Sequence, residues 1–287
     1  MMNKTMQRYV DLIEGYLTTC FSSREPQQLL FESMRYSLLA GGKRLRPVLV
    51  MAFCELCGGD AERALPFAAA MEMVHTYSLI HDDLPCMDND DYRRGKPTNH
   101  RIYGEATATL AGDALLTAAF GRLAAAELPA QQRIEAVRVL SCCAGELGMV
   151  GGQMLDMDAE NRICTAQEVY DIQSRKTGAL ISAACQLGVI AAGGSKQQQR
   201  AAADYAESLG LAFQIEDDLL DLEGDAAKLG KATGVDENKN TFVRLYGAER
   251  CRELIREETE KAVAALEPFD RPEFLRGIAE QLMNRDH

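Results

Sequence analysis

The chain has 287 residues, a formal net charge of −12 and no tryptophan. Its length suffices for one large domain or two, and with only eight prolines the composition favours helix over sheet. The strong negative charge argues against nucleic acid or an anionic membrane surface as the main partner.

Apolar residues at helical spacing, with almost no alternating apolar and polar runs, predict an all-α protein. No Pro/Gly/Ser-rich linker or fixed-period repeat interrupts the pattern, so we expect a single domain over residues 1–287. In chain order the predicted helices cover residues 4–20, 27–40, 47–57, 61–83, 104–126, 130–144, 165–174, 177–193, 197–222, 248–266 and 272–284.

The most apolar stretch, residues 178–194, is somewhat short for a membrane span and rich in small residues. We interpret it as a helix buried in a bundle or at a dimer interface, and predict no membrane span. Nine cysteines, an odd number in a long chain, are typical of free thiols in a reducing compartment. We therefore expect a cytoplasmic protein.

Two basic stretches lie in the first third of the chain. The segment GGKRLRP (residues 41–47) places three cations between a glycine pair and a proline suited to a helix start. The segment RRGK (residues 93–96) follows an acidic cluster. Either stretch alone would be interpreted as a solvated loop. Near a carboxylate-bound metal, however, Arg and Lys are the usual ligands of phosphate oxygens.

Two acidic clusters, DDLPCMD (residues 82–88) and DDLLD (residues 217–221), carry the strongest chemical signal. Pro85 disfavours helix at the residue before it, so we expect the chain to leave the helix there and fold Asp88 back. The second cluster can project its three carboxylates from neighbouring helical turns. A single isolated pair would suit a solvated helix end. Two such clusters predict Mg²⁺ and a substrate polyphosphate, because crowded carboxylates need a cation to offset their repulsion.

The motifs resemble those of the trans-isoprenyl diphosphate synthases. The segments that show the resemblance are HTYSLIHDDLP (residues 75–85) with RRGKPT (residues 93–98), FQIEDDLLD (residues 213–221), GGKRLRP (residues 41–47), and the Lys-Thr pair at residues 176–177. The resemblance runs from about residue 28 to the C-terminus, with the motifs in the family's order. It implies the isoprenoid synthase fold, a bundle of ten or more helices around a central substrate cavity, and a homodimer.

The resemblance also implies a role for each motif. Mg²⁺, three ions per site when the allylic diphosphate is bound, would be held by the aspartates of both clusters: Asp82, Asp83, Asp88, Asp217, Asp218 and Asp221. The allylic diphosphate would contact Arg93, Lys176, Thr177, Gln214 and Lys231. Isopentenyl diphosphate would contact Lys43, Arg46, His75 and Arg94. The residues implied in catalysis are Asp82, Asp83, Asp88, Lys176, Asp217, Asp218 and Lys231.

The implied reaction is ionisation of the allylic diphosphate, attack by the isopentenyl double bond, and loss of a proton to the departing diphosphate. It needs no side-chain base, and we find no nucleophile–base motif. One departure concerns the loop after Asp236, which is two residues shorter than in the family. Lys239 is therefore assigned no firm role.

Product length depends, by the same resemblance, on the residues just before Asp82. Tyr77 is bulky and Ser78 is small. In bacterial-type members an aromatic residue at the Tyr77 position accompanies a fifteen-carbon product, which predicts farnesyl diphosphate here. Twenty-carbon and ten-carbon products remain the alternatives.

Two rivals belong to other classes. A terpene cyclase also uses an aspartate-rich motif, but its second metal motif is of an Asn-Ser/Thr-Glu kind, unlike DDLLD. A catalytically silent subunit that tunes a partner synthase would tend to lose one aspartate cluster, and this chain has both.

Overall fold

The computed structural model describes residues 2–160, 162–229 and 240–282. The regular secondary structure in these residues is helical apart from one short hairpin, which confirms the predicted all-α class. In chain order the elements are α1 (Met2–Thr19), α2 (Gln28–Leu38), α3 (Leu45–Leu56), α4 (Leu65–Asp82), β1 (Tyr92–Arg93), β2 (Lys96–Pro97), α5 (Asn99–Tyr103), α6 (Glu105–Ala125), α7 (Ala130–Ala144), α8 (Met149–Ala159), α9 (Ala166–Gln173), a π-helical turn (Ser174–Gly178), α10 (Ala179–Ala192), α11 (Lys196–Leu229), α12 (Phe242–Ala264) and α13 (Glu273–Leu282).

The chain divides into two compact units. The first contains residues 1–138 and 187–193, and the second contains residues 139–186 and 194–287. Whether they form the single domain expected from the sequence stays a prediction.

In the first unit, α4 is the central helix. A proline in its first turn suits the helix start, where the backbone N–H has no partner to lose. Every residue of the run 67–74 is buried, so the helix is enclosed on all sides rather than on one stripe. It packs against α3 and α6. The residues of the first acidic cluster begin where this buried helix ends.

The apolar stretch at residues 178–194 forms most of α10, and its core residues are buried within this one chain. Gly188 makes the packing of its second half possible. A Cβ there would lie 2.3 Å from the carbonyl oxygen of Val50 and 2.7 Å from Cβ of Phe53. Across the residues that the structure describes, no helix is long and apolar enough to cross a membrane.

In the second unit, α11 packs along α12. Their shared core includes Ile215, Leu219, Phe242 and Ile255, with Val169 from α9 beneath them. Ile215 and Leu219 lie one turn apart on α11, so this face of the helix is buried against α12.

The structure differs from the predicted helices at several places, among them the end of α11, which continues to Leu229 rather than ending at residue 222. The prediction missed α8 because its glycine pair at residues 151–152 lowers helix propensity. It missed α5 and the hairpin because each is very short. It placed the start of α12 at residue 248, whereas the helix begins at Phe242 and is interrupted by Gly247, where φ is +78°.

Arg44, one of the three cations of the basic segment, is buried and paired within the fold. Its Nε donates to Glu14 Oε1 at 2.7 Å, its Nη1 donates to Glu72 Oε1, and its Nη2 donates to the Leu38 carbonyl at 2.9 Å. The side chain therefore ties α1, α2 and α4 together at one point. Glu72 is itself buried. Because neither side chain is hydrated, the ion pair between Arg44 and Glu72 offsets the cost of burying both charges.

We predict that Arg44→Ala lowers the free energy of unfolding by about 3–5 kcal/mol, because it leaves the Glu72 carboxylate buried without its partner. Urea denaturation of the purified chain measures the loss.

Arg8→Ala is the matched control, since Arg8 forms a partly exposed pair with Glu55 and its removal should cost less than about 1 kcal/mol. Equal losses in the two variants would contradict the tether assigned to Arg44.

Candidate active site

The first acidic cluster folds back on the end of α4. The backbone N–H of Asp88 donates to the Asp82 carbonyl oxygen at 2.9 Å, and that of Asn89 donates to the Leu84 carbonyl at 3.1 Å. This is the reversal that the sequence predicted at Pro85. It places Asp82 and Asp88 side by side at a helix C-terminus, where the backbone dipole is also negative. Such a site favours a bound cation.

Asp83, the third carboxylate, has a different environment. It is buried, and Nε of Arg93 donates to its Oδ1 at 2.6 Å. Burial raises the pKa of Asp83, while the arginine opposes that shift. A second contact joins Arg93 to Asp90 at 3.3 Å. The structure thus uses Asp83 to hold Arg93, and leaves Asp82 and Asp88 nearer solvent.

The hairpin of β1 and β2 carries both arginines. Its register pairs Arg93 with Lys96, and the two residues between them, Arg94 and Gly95, both have positive φ (53° and 72°). Positive φ at both central positions is the mark of a type I′ turn. For a non-glycine residue this conformation is costly and often found at functional sites, so the backbone of Arg94 is held in place by its surroundings.

Buried polar residues fasten the hairpin to α2. The Asn99 side-chain amide donates to the carbonyl oxygen and Oγ of two serines on α2, Ser33 and Ser37, at 2.9 and 2.8 Å. The Tyr36 hydroxyl donates to the Pro97 carbonyl at 2.8 Å. These contacts fix where the arginines lie, and none of them was foreseen from the sequence.

The basic segment meets Arg94. Its Nη1 donates to the Gly41 carbonyl, and a Cβ on Gly42 would lie 2.7 Å from its Cζ. Only glycine leaves room for the guanidinium there, and the φ of +131° at Gly42 adds a second reason. Lys43 is exposed beside this contact. Lys43 is thus one residue from the glycine that Arg94 contacts, and its part in binding isopentenyl diphosphate stays a prediction.

Arg46 and His75 complete this basic cluster. Burial lowers the pKa of Arg46, and its Nε has no hydrogen-bond partner within the described part of the chain. Burial and the positive charges of Arg46 and Arg94 hold the pKa of His75 well below 6.5, so the imidazole is neutral. A buried, unpaired donor among cations is a site that an anion would satisfy.

In the second unit, Gln214 and the aspartates lie on α11. Thr177 Oγ1 donates to Gln214 Oε1 at 2.9 Å, which joins two residues assigned to the allylic diphosphate. Oδ2 of Asp218 accepts the backbone N–H of Phe242 at 2.7 Å, at the first residue of α12. One oxygen of Asp218 is thus occupied by the backbone. The side chain of Asp221, and all of Lys231 and Lys239, lie outside the described residues.

Lys176 lies in the π-helical turn, a feature that is frequent at functional sites. Its Nζ lies 2.5 Å from Oδ2 of Asp156 on α8. Gly152 lets α8 approach, since a Cβ there would lie 2.3 Å from the Lys176 backbone nitrogen. The sequence analysis identified Lys176 but missed Asp156 and Gly152. The signal was available as a glycine pair followed at helical spacing by an aspartate in an apolar run.

The donor sets suit Mg²⁺ bound with a substrate rather than a complete protein cage. Among the described residues no three carboxylate, histidine or cysteine side chains converge on one point. Mg²⁺ is usually held by one or two carboxylates, waters and phosphate oxygens, and Asp82 and Asp88 supply such a pair. The chemistry of the site therefore fits the ion that the resemblance implied.

Comparison with known proteins decides the family. A sequence model of the polyprenyl synthetases matches residues 27–273. The chain belongs to the polyprenyl synthetase family. It is 47% identical to farnesyl diphosphate synthase of Micrococcus luteus over 93% of each chain. It is 43% identical to geranylgeranyl diphosphate synthase of Cyanophora paradoxa over 96% of this chain and 94% of that one.

A solved structure agrees with the fold. The apo crystal structure of an FPP/GFPP synthase from Zymomonas mobilis superposes with a TM-score of 0.90 at 39% identity, and 98% of each chain is covered. The chain is thus a trans-prenyltransferase of the type that includes farnesyl and geranylgeranyl diphosphate synthases. Polyprenyl synthetases use Mg²⁺, which agrees with the carboxylates described above.

The low pKa of His75 predicts a pH-dependent stability. Unfolded His75 takes up a proton as the pH falls below about 6.5, whereas the folded imidazole stays neutral, so acid favours unfolding. The contribution of neutral His75 to the free energy of unfolding is therefore present above about pH 6.5 and is lost as the pH falls. We expect wild type to lose up to about 1.4 kcal/mol per pH unit relative to His75→Gln between about pH 6.5 and 5. Urea titrations at several pH values measure it; parallel curves for the two proteins would contradict it.

The contact between Lys176 and Asp156 predicts a kinetic effect. Asp156→Asn keeps the shape but removes the charge that orients Lys176, so we expect kcat for prenyl transfer to fall about 10- to 100-fold.

Asp171→Asn is the matched control, since Asp171 pairs with Arg175 in the same region through a more exposed contact of 3.0 Å. It should keep nearly full activity. A similar loss in both variants would remove the specific role given to Asp156.

Proposed function

We propose that this protein is a farnesyl diphosphate synthase, which condenses isopentenyl diphosphate with dimethylallyl and then geranyl diphosphate. The observation that supports the fifteen-carbon product is the position of Tyr77. Its side chain is buried, 5% exposed, on the same unbroken helix as Asp82 and five residues before it. At 1.5 Å per residue, the Cα atoms of Tyr77 and Asp82 are about 7.5 Å apart along the helix axis.

The neighbouring Ser78 offers no comparable obstacle. Its Oγ donates to the His75 carbonyl of the same helix at 3.0 Å, so the small side chain lies against its own backbone. We propose that a growing hydrocarbon chain that extends from Asp82 along this part of α4 meets the tyrosine. The phenol hydroxyl ionises with difficulty there, since burial raises the pKa of Tyr77 to about 12. The uncharged ring is therefore suited to form the closed end, or floor, of the proposed cavity for the apolar product chain.

The basic cluster of the first unit is proposed to bind isopentenyl diphosphate through Lys43, Arg46, His75 and Arg94. The unpaired Nε of Arg46 supports this, because a diphosphate oxygen would satisfy it. Neutral His75 would act as a hydrogen-bond donor rather than a charge. Arg94 is already held by the Gly41 carbonyl, so its position is set before the substrate arrives.

The allylic diphosphate is proposed to use the aspartates with Arg93, Lys176, Thr177 and Gln214. When bound, Mg²⁺ would neutralise the diphosphate and stabilise it as a leaving group. Arg93 and Lys176 are each held by a carboxylate, Asp83 in the first unit and Asp156 in the second, which restricts the orientation of each charge. Such preorganised charge lowers the energy of a transition state in which negative charge develops on the diphosphate. Lys231, Asp221 and the number of Mg²⁺ ions remain proposals from the family alone.

A homodimer and a cytoplasmic location are proposed on separate grounds. Large apolar side chains are exposed along one side of α8, namely Val150, Met154 and Met157. An exposed apolar face of this kind is typical of a protein interface. All nine cysteines are free thiols, as expected in a reducing compartment.

The alternative is a twenty-carbon product by the same chemistry. It is favoured by one observation, that relatives of 43–47% identity include both farnesyl and geranylgeranyl diphosphate synthases.

The deciding experiment incubates the purified chain with Mg²⁺, isopentenyl diphosphate and, separately, dimethylallyl, geranyl and farnesyl diphosphates. We expect fifteen-carbon product from the first two starters and no elongation of the third. Tyr77→Ala should extend the product to twenty carbons, because the obstacle is removed, with the ratio of the two products changing by about tenfold or more.

Mass spectrometry of the dephosphorylated products gives the chain lengths. Twenty-carbon product from the wild-type chain would contradict the role of Tyr77 in limiting chain length but would agree with the prenyltransferase reaction. An unchanged product from Tyr77→Ala would do the same, and no elongation of any starter would discard the enzyme.

A further inference from the structure

The Tyr77 ring is held by a second ring on its own helix. His81 lies one turn further along α4, and the two ring centroids are 5.7 Å apart with the planes at 80°. This edge-to-face arrangement is the favoured geometry for aromatic pairs. The imidazole therefore restricts the directions in which the Tyr77 ring can turn.

His81 is in turn held by α6. Its Nε2 lies 3.1 Å from the carbonyl oxygen of Thr109, and a carbonyl only accepts, so Nε2 carries the proton and donates. Asp113, one turn along α6, lies 3.9 Å from the same nitrogen. The contact connects the end of α4 to a second helix at a single side chain.

Gly112 makes this contact possible. A Cβ at that position would lie 2.1 Å from Nε2 of His81 and 2.5 Å from its Cδ2, closer than any side chain allows. Glycine inside a helix costs about 1 kcal/mol relative to alanine. Its place in the middle of α6 has a physical explanation if the space it leaves is needed for the imidazole.

We propose that His81, wedged between Tyr77 and Gly112, is the positioning residue that sets product length. It holds the Tyr77 ring across the path of the growing chain. Because His81 directly precedes Asp82, the same contact with α6 also fixes the carboxylate end of the path. The distance between floor and diphosphate is thus set by α6 as well as by α4. This inference rests on the proposed farnesyl diphosphate synthase activity.

The first test compares His81→Ala with wild type, using geranyl diphosphate, isopentenyl diphosphate and Mg²⁺. Loss of the imidazole frees the Tyr77 ring to turn aside, so the ratio of twenty- to fifteen-carbon product should rise about tenfold. His81→Gln keeps a donor that can reach the Thr109 carbonyl and should keep most of the fifteen-carbon product. Identical product profiles for His81→Ala and wild type would overturn the proposal.

A double variant separates positioning from direct contact. If His81 acts only through Tyr77, then Tyr77→Ala/His81→Ala should give the same product profile as Tyr77→Ala alone, since the two effects are not additive. A further lengthening in the double variant would mean that the imidazole itself blocks the chain, and would overturn the positioning role.

A pair of glycine variants on α6 tests the wedge without touching either ring. Gly112→Ala should displace the imidazole and reduce the fifteen-carbon share. Gly121→Ala is the matched control, because nothing lies within 4 Å of a Cβ at that exposed site on the same helix. Its profile should equal that of wild type, and a profile unchanged in Gly112→Ala would count against the wedge.

Thermal unfolding checks that each variant is folded, and if Gly112→Ala is not, the two His81 variants decide. Failure of the proposed function is recognised separately, because it shows in the wild-type chain as the absence of fifteen-carbon product.

Discussion

The burial of α4 on all sides is the constraint on which the first unit depends. A helix enclosed by apolar neighbours cannot rotate or slide without breaking close packing, so the residues along it keep fixed spacings. His75, Tyr77, His81 and Asp82 lie on that one helix. It ends with carboxylates at the negative end of its dipole, an arrangement that a bound cation relieves. Rigid spacing and local charge thus come from the same element.

Three arginines of the first unit, Arg44, Arg46 and Arg94, show that the role of a side chain depends on its surroundings. Arg44 is buried between two glutamates and stabilises the fold, whereas Arg46 is two residues away and keeps a buried donor unpaired. Arg94, far along the sequence, is placed against the glycine pair by a strained turn. The overall charge of the chain is negative, yet Arg46 and Arg94 are proposed to bind an anion, because nearby charges outweigh distant ones that salt screens.

The second unit contains the same kind of contact as the first, a cation held by a carboxylate. Asp156 holds Lys176, as Asp83 holds Arg93, and in each case the cation is one that we propose binds the allylic diphosphate. Asp218 uses one oxygen to bind the first backbone N–H of α12. Members of one acidic cluster therefore do different work, and some of the carboxylates that look equivalent in sequence organise their neighbours.

The sequence by itself determined the helical class, the two acidic clusters, the reversal after Pro85 and the family, because these depend on residue type and short spacing. Only the tertiary structure decided that Arg44 is structural, that Asp156 supports Lys176, and that α8 forms despite its glycine pair. Those facts depend on which helices touch. Gly152 and Gly112 look like helix-weakening residues until Lys176 and His81 are found in the space they leave. Close packing between segments that are distant in sequence overrides local helix propensity, and the amino-acid sequence alone does not show which segments pack together.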